Sequence, residues 1–488
     1  MYRVACPACG AEVRFHATSS VLAVCPYCQS TLLRDADSVR DIGKMAALLD
    51  DYSPLQIASA GIWHGRQFTV VGRIQLAFDA GSWNEWHVLF DDGESAWLAE
   101  SVGQYVLTRA QGRSDTAPPF DQLRAGQGWQ QDNRHFIFSD IRQARCVAGE
   151  GELPRRLQPG YDAPVADARS GGHFLTLDYS DGPPPQLYLG EAVTLKQLNM
   201  QRLRDERMIE AATGKLKGSM QRLDCPQCGA GLDYRAGTAT HLNCPACGSE
   251  VDIQGERATV LRQHQSVQGS MLRFTLANGS EATIDGKTWT IIGLLGWVES
   301  ADRDSRWNEY LLYEPQQGFR WLTETGDGWW LGALMDVWVD EATAEYALWG
   351  KQRFGARYPP YLARIDYAAG AFPWRARLGD SVILNEYQSR DSNTLLASEQ
   401  SPQKLTWSSS RKVSDQDMAR WFGKDAPLVS AFRSAGTAAG KAALRPLGYG
   451  AVALLWLLNV PLLLTGDSSE IIGICFIASV ILLLPLES

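Results

Sequence analysis

At 488 residues with a net charge of −9, the chain is long enough for about three globular units and lacks the basic surplus that nucleic-acid binding draws on. An N-terminus without a basic-then-apolar stretch, together with eight of its ten cysteines set out for metal, leads us to expect a reducing, cytoplasmic compartment. Trp (17), Tyr (16) and Phe (15) interspersed with Gly, Thr and Val favour β-sheet over a helix bundle.

The chain opens on Cys6, Cys9, Cys25 and Cys28, and the same ruler returns at Cys225, Cys228, Cys244 and Cys247. Each set reads C-P-x-C, fifteen residues, then C-P-x-C, a spacing that suits a four-thiolate zinc site. The two-residue gap lets both thiolates of one turn face one ion. Pro7, Pro26, Pro226 and Pro245 restrict the turns, and Gly10, Gly229 and Gly248 supply the positive φ that follows such turns. Four protein thiolates leave no open position for substrate, so two structural Zn²⁺ ions in two ribbons (residues 1–35 and 221–256) are expected. Iron, or a redox disulfide, is the alternative. His16 and His241 lie between the knuckles and are read as surface residues rather than ligands.

Residues 36–56, with Ile42, Met45, Ala46 and Leu49 at helical spacing, predict a linker helix, and the charged stretch 199–220 predicts another. The regions 57–198 and 257–412 predict β-rich, barrel-like domains. They repeat one another: Gly65, Phe68 and Gly72 align with Gly286, Trp289 and Gly293. Trp83-Asn84-Glu85 then aligns with Trp307-Asn308-Glu309, and Trp97-Leu98 with Trp321-Leu322. Residues 83–98 read as a hairpin turning at Asp91-Asp92-Gly93. A further echo, Leu189-Gly190-Glu191 against Leu378-Gly379-Asp380, implies about thirty extra residues in the first copy, by the length reasoning of internal repeats.

After a juxtamembrane helix expected over 413–445, residues 446–488 predict a transmembrane helical hairpin. Leu447–Leu464 and Ile471–Leu486 carry no charge, and at ~1.5 Å per residue they span ~24–27 Å of a ~30 Å hydrocarbon core. Arg433, Lys441 and Arg445 precede the first run while the connecting loop holds Asp467 and Glu470. The positive-inside rule therefore places the soluble domains in the cytoplasm. The fold class expected is mainly β with little helix, a lipid bilayer contact through 447–486, and self-association left open.

The segments Gly65–Ile74, Trp83–Phe90 and Trp97-Leu98 resemble a bacterial domain of unknown function of the DUF 4178 type, a resemblance covering both β domains. It implies small β-rich domains coupled to zinc ribbons and C-terminal membrane segments on the bacterial inner (cytoplasmic) membrane, encoded beside polyamine-synthesis enzymes and small membrane proteins. It supplies no catalytic residue.

Trp83, Glu85, Trp307 and Glu309 are the candidate ligand or partner surface. In a strand, Trp83 and Glu85 share one face while Asn84 and Trp86 share the other. A carboxylate beside an indole suits an amine, with ~0.5–2 kcal/mol per cation–ring pair. The alternative is structural, with both carboxylates paired to Arg and the indoles filling a core. No P-loop, nucleophile elbow, H-E-x-x-H or dinucleotide fingerprint occurs. The expected function is a non-enzymatic, membrane-anchored cytoplasmic adaptor that holds a membrane-associated protein partner. The alternatives are a sensor of a small cation such as a polyamine, and a hydrolase or transferase of unrecognised type.

Overall fold

The computed structural model describes residues 2–432 apart from 17–19, 36–37, 46–47, 49–52, 79–80, 102, 155–159, 206, 210–218, 236–240, 255–256, 263–273 and 316. The membrane hairpin expected over 446–488 lies outside the described residues, as does the juxtamembrane stretch from 433. Among the described residues, no helix is long and apolar enough to cross a membrane.

The first ribbon is a hairpin of β1 (Tyr2–Ala5) and β2 (Glu12–Phe15) followed by a meander of β3 (Leu22–Val24), β4 (Ser30–Asp35) and β5 (Ser38–Lys44). After β6 (Ala60–Trp63) come β7 (Arg66–Phe78), β8 (Gly81–Phe90), β9 (Ser95–Ser101) and β10 (Gln104–Arg113). A short 3₁₀ turn and β11 (Gly128–Gln131) lead into the long β12 (Arg134–Leu153). Then β13 (Asp162–Ser170), β14 (His173–Asp178) and β15 (Gln186–Val193) follow. The pairing order β7-β8-β9-β10-β15-β14-β13-β12 closes on itself, because β12 pairs back with β7. An eight-stranded barrel results, with no free edge within the ring.

The second half repeats this. Its ribbon holds β16 (Met220–Asp224), β17 (Gly231–Arg235), β18 (His241–Asn243), β19 (Glu250–Gln254) and β20 (Arg257–Arg262). After β21 (Glu281–Ile284), the meander is β22 (Lys287–Glu299), β23 (Arg306–Glu314), β24 (Gly318–Thr325) and β25 (Gly328–Leu334). A side hairpin of β26 (Glu341–Ala342), β27 (Tyr346–Trp349) and β28 (Gln352–Ala356) intervenes. Then β29 (Tyr361–Phe372), β30 (Ser381–Gln388), β31 (Thr394–Gln400) and β32 (Leu405–Val413) close a ring β22-β23-β24-β25-β32-β31-β30-β29. Strand for strand the two rings correspond.

Each ribbon is built into its barrel. Strand β3 pairs with the end of β12 (Leu22↔Leu153), and β18 with the end of β29 (Leu242↔Ala371). At the same seam the strands approach closely enough to require glycine. A Cβ at Gly72 would lie 1.9 Å from the Glu152 carbonyl oxygen, and one at Gly293 would lie 2.6 Å from the Phe372 ring. Their partners Gly151 and Gly370 have φ of 70° and 95°. The Gly72/Gly293 repeat in the sequence is thus a barrel-closing requirement.

Several expectations need correction. Residues 38–44 form β5 rather than part of a helix over 36–56. They continue the ribbon meander against β4 (Leu33↔Arg40), and Met45 is buried with Leu22 and Val24. β20 likewise pairs with β19, so residues 257–262 belong to the second ribbon and not to the second β domain. Of the helix expected over 199–220, residues 199–204 are not helical. Gln201 bridges Ala60, Asn199 and Arg202 have positive φ, and Leu198, Met200 and Leu203 pack on the outside of the barrel. Only Arg207–Ile209 form a helical turn among the described residues. The helix expected over 413–445 is, as far as described, α1 (Asp415–Trp421), which Ser414 caps by accepting from the Asp417 N–H at 3.0 Å. The chain after it docks on the barrel, where Trp329 Nε1 donates to the Leu428 carbonyl at 2.8 Å. Leu189 lies on β15, but Leu378 precedes β30, the counterpart of β13. The Leu-Gly echo therefore pairs a strand with a turn at a different place in the ring, and the inferred thirty-residue excess disappears with it.

Hydrogen bonds and a bridge join the two halves. Ile141 N–H donates to the Gln403 carbonyl at 2.9 Å beside the Asp140↔Lys404 bridge. Gln400 donates to the Ala125 carbonyl at 2.7 Å, and Trp338 N–H to that of Gly171 at 3.1 Å.

Candidate functional site: thiolate clusters and a shared chamber

The eight ruler cysteines meet in two groups, Cys6/Cys9/Cys25/Cys28 and Cys225/Cys228/Cys244/Cys247, each with its sulfurs within 4.8 Å of one another. Cys6–Cys28 and Cys9–Cys25 lie at 3.6 and 3.7 Å, Cys225–Cys247 and Cys228–Cys244 at 3.8 and 3.7 Å. These are too long for disulfides at ~2.05 Å. They match the ~3.8 Å edge of a tetrahedron with ~2.3 Å metal–sulfur bonds. The knuckles are tied by Gly10 N–H to the Cys6 carbonyl and Gly229 N–H to that of Cys225, both 2.8 Å. Gln29, at φ 59°, does in one knuckle what glycine does in the other three. Either group could hold a metal ion.

The two histidines between the knuckles are not both surface residues. His16 contacts Glu152 at the ribbon–barrel seam, whereas His241 is buried on β18 with Asp252 at 3.8 Å. Strand pairing with β29 is what draws it in.

The second feature is a chamber of about 2320 Å³. Every strand of the first ring contributes a side chain to its lining: Leu76, Trp83, Trp97, Thr108, Tyr188, Thr176, Asp167 and Arg142, in ring order. The second ring contributes in the same way, for example through Trp297, Glu309, Trp321 and Glu399. The opposite faces of the strands are covered from outside. Leu55, Leu198 and Met200 lie over Phe68, Trp86 and Leu98, and Phe120, Leu123 and Trp129 over Phe138 and Leu175. The chamber follows the inner faces of both rings and their junction, and its lining continues past them to Asn84, Glu100, Ser53 and Arg204 on the outer side of the first barrel.

The Trp-Asn-Glu triplets divide between faces as strand geometry requires. Asn84 and Trp86 point to the covered outer face, where both donate to Glu100, at 3.3 and 3.0 Å, and Ser53 donates to it at 2.6 Å. The second copy repeats the arrangement with Asn308 and Tyr310 donating to Glu324 at 3.2 and 2.5 Å. Asn in the triplet is structural in both copies.

On the inner face the two copies diverge. Trp83 Nε1 donates to Glu85 at 2.8 Å, and next to this pair the Arg142 guanidinium lies 3.8 Å from the Phe78 ring centroid and 5.9 Å from that of Trp83. Arg142 also donates to Asp140 at 2.6 Å. Counting along β12 and β29 from the pairs Leu76↔Cys146 and Trp297↔Ile365 brings Arg142 and Tyr361 to the same position. So the second barrel has Tyr361 in place of Arg142 and Trp297 in place of Leu76. There, Glu309 accepts from Trp297 at 2.8 Å and from Trp307 at 3.4 Å. Trp297 and Trp307 stack with 6.1 Å between centroids at 6°, and Tyr361 meets Trp307 edge-on at 6.1 Å. The expectation that Glu309 pairs with Arg is thus replaced by two indole N–H donors.

Burial, and next the nearby Glu399, push the Glu309 carboxyl up to about 8, against the lowering by the two indoles. Burial also raises Glu399, offset in part by Lys404. Both side chains are partly accessible, yet protein encloses them, as befits groups on the wall of an internal chamber. Near the junction, burial raises Asp167 to about 6, while Thr176 donates to it at 2.6 Å. Sequence reasoning missed Arg142, Tyr361, Trp297 and Glu399. Leu76 against Trp297 was within reach of the repeat alignment, whereas Arg142 and Tyr361 lie where the alignment had been misplaced.

No curated protein and no solved structure matched the chain. The family model described as Domain of unknown function (DUF4178) matches residues 56–195 and 277–415, almost equal lengths, one on each barrel. With more than half of its residues covered, the chain belongs to the DUF4178 family and carries the domain twice.

Proposed function

We propose that this protein is a non-enzymatic binding protein in which two barrels share one ligand chamber and a structural zinc ribbon clamps each barrel. The observation that carries the reading is the chamber itself. Small eight-stranded barrels either fill their interior with side chains or hold one small ligand, and here the inner faces of both rings border open space, part of a continuous cavity of about 2320 Å³ lined by aromatic and acidic side chains. Zinc is favoured as the metal by four thiolates at tetrahedral spacing with no open position. Elemental analysis of the full-length protein should give two zinc ions per chain; iron, or substoichiometric metal, would overturn that assignment. For the chamber, a thermal-shift panel of neutral, anionic and cationic small molecules is the test. At least one compound should raise Tm, and Ser408→Trp, which fills the lumen, should abolish the shift. If no class shifts Tm, or the shift survives that substitution, the binding reading fails.

A second reading, a membrane-tethered adaptor for a protein partner on the cytoplasmic side of the bacterial inner membrane, is supported by a different feature. Tyr27, in a knuckle of the first ribbon, is 77 % exposed, and residues 447–486 have the composition of a membrane hairpin. Crosslinking in native membranes should capture a partner with wild type but not with Tyr27→Ser. Equal capture by both, or none, removes it.

A further inference from the structure

The two lumens share a topology but not a charge plan. In the first, the aromatic wall of Phe78 and Trp83 already faces a cation, because Arg142 of the same chain lies on it and is neutralised by Asp140. In the second, Tyr361 takes that position, Trp297 adds a ring, and among the described residues no guanidinium or ammonium lies on the wall they form with Trp307. Two carboxylates remain there. Glu309 is held by indole N–H groups alone, and Glu399 has no hydrogen bond or ion pair through its side chain among the described residues. The charges that act on Glu309 are further carboxylates, Glu399 and Glu386; the latter is engaged with Tyr361 at 2.8 Å and Arg357 at 3.5 Å. Among the described residues the cation acting on Glu399 is Lys404, which belongs to the junction with Asp140. Glu309 between its two indoles, with Glu399 acting on it from the same chamber lining, forms an arrangement that lacks its cation.

Resting on the reading that the chamber takes a small ligand, we propose that the second barrel seats an organic ammonium group against Trp297, with Glu309 and Glu399 as its counter-charges, in the place that Arg142 fills in the first barrel. Electrostatic attraction to a ring face within ~6 Å and to a desolvated carboxylate act together in such a seat. Trp307 and Tyr361 stand behind Trp297 and fix its plane. A carboxyl that is protonated when the seat is empty gives up its proton to solvent as the ammonium binds, so binding strengthens as pH rises toward neutrality and beyond.

The test is calorimetric titration of the full-length protein with choline and, separately, with 1,4-diaminobutane, which distinguish quaternary from primary ammonium. One site per chain is expected for at least one of them. Glu309→Gln, and Tyr361→Arg, which imports the first barrel's own guanidinium, should each weaken it by about tenfold or more. Asp92→Asn, a surface carboxylate change, should leave affinity within about twofold, since exposed charges are screened. If Tyr361→Arg does not fold, Glu309→Gln decides. Cation binding that is indifferent to both substitutions overturns the seat. So does failure of both cations when a neutral or anionic compound still binds in the chamber, an outcome that spares the binding reading. No binding by any compound class overturns both.

Discussion

The two barrels differ where it counts chemically and agree where it counts structurally. Ring order, seam glycines, ribbon attachment and the outer-face Asn–Glu bonds recur in both copies. The inner wall does not: Leu76 and Arg142 in one become Trp297 and Tyr361 in the other. Closure of a strand ring constrains positions whose backbone must approach another backbone, and leaves lumen positions free to change. A duplicated domain of this kind can hold its shape in both halves while only one half stays open to a charged guest.

The comparison breaks most sharply at the metal. Cys25→Ser or Cys244→Ser should drop the metal content from two to one per chain and unfold the matching ribbon, since metal binding supplies roughly 10–16 kcal/mol in small zinc peptides. Because β3 and β18 lie along β12 and β29, limited proteolysis should then cut near the seam of the mutated half only.

Next come the seam glycines. Gly72→Ala drives a Cβ against a backbone carbonyl at 1.9 Å, whereas Gly293→Ala meets the edge of the Phe372 ring at 2.6 Å. Denaturant unfolding should show the first to be the more destabilising, about 3 kcal/mol or more against about 1–3 kcal/mol. Equal losses would mean that the ring is as immovable as the carbonyl.

The acidic pair gives the second barrel a pH signature of its own, at higher pH than that of Asp167 in the first. Glu309 titrates near 4.5 when unfolded and at about 8 when folded, so the folded state holds more protons between those values. Stability is therefore greatest below pH 4.5 for this group and declines as pH rises to about 8, by at most ~1.4 kcal/mol per pH unit. Glu309→Gln should flatten that slope in denaturant melts taken at several pH values; an unchanged slope would assign the decline to other groups. The smallest effect is expected in the first barrel. Glu85→Gln still leaves an oxygen to accept from Trp83 and should cost under about 1 kcal/mol by thermal melting.

Much of this architecture could be read from local pattern. The cysteine spacing announced the thiolate groups, and the period of two placed Trp83 with Glu85 and Asn84 with Trp86 before any coordinates. What escaped was non-local. Nothing near Cys146 signals that it will face Leu76 across a closing seam, so the partners of the lumen carboxylates stayed hidden. The helical spacing of Ile42 and Met45 misled because a register shift between Ser30 and Leu32 in the pairing of β4 with β5 lets a short strand bring residues to one side at intervals of three. The Leu-Gly echo misled because Leu189-Gly190 lies on β15 while Leu378-Gly379 lies in the turn before β30, and a dipeptide can recur without sharing a place in the ring.

The bonds from Ile141 and Gln400 across the junction give the duplication a mechanical meaning. Here the neighbour is supplied by the same polypeptide, at an effective concentration no dilution can lower. Had the gene carried a single copy, the rim around Ala125 and Ile141 would have been left bare, ready to dock on a twin. Fusion in this chain turns what would have been an encounter between strangers into a permanent, asymmetric marriage, and asymmetry is the condition under which one half can specialise.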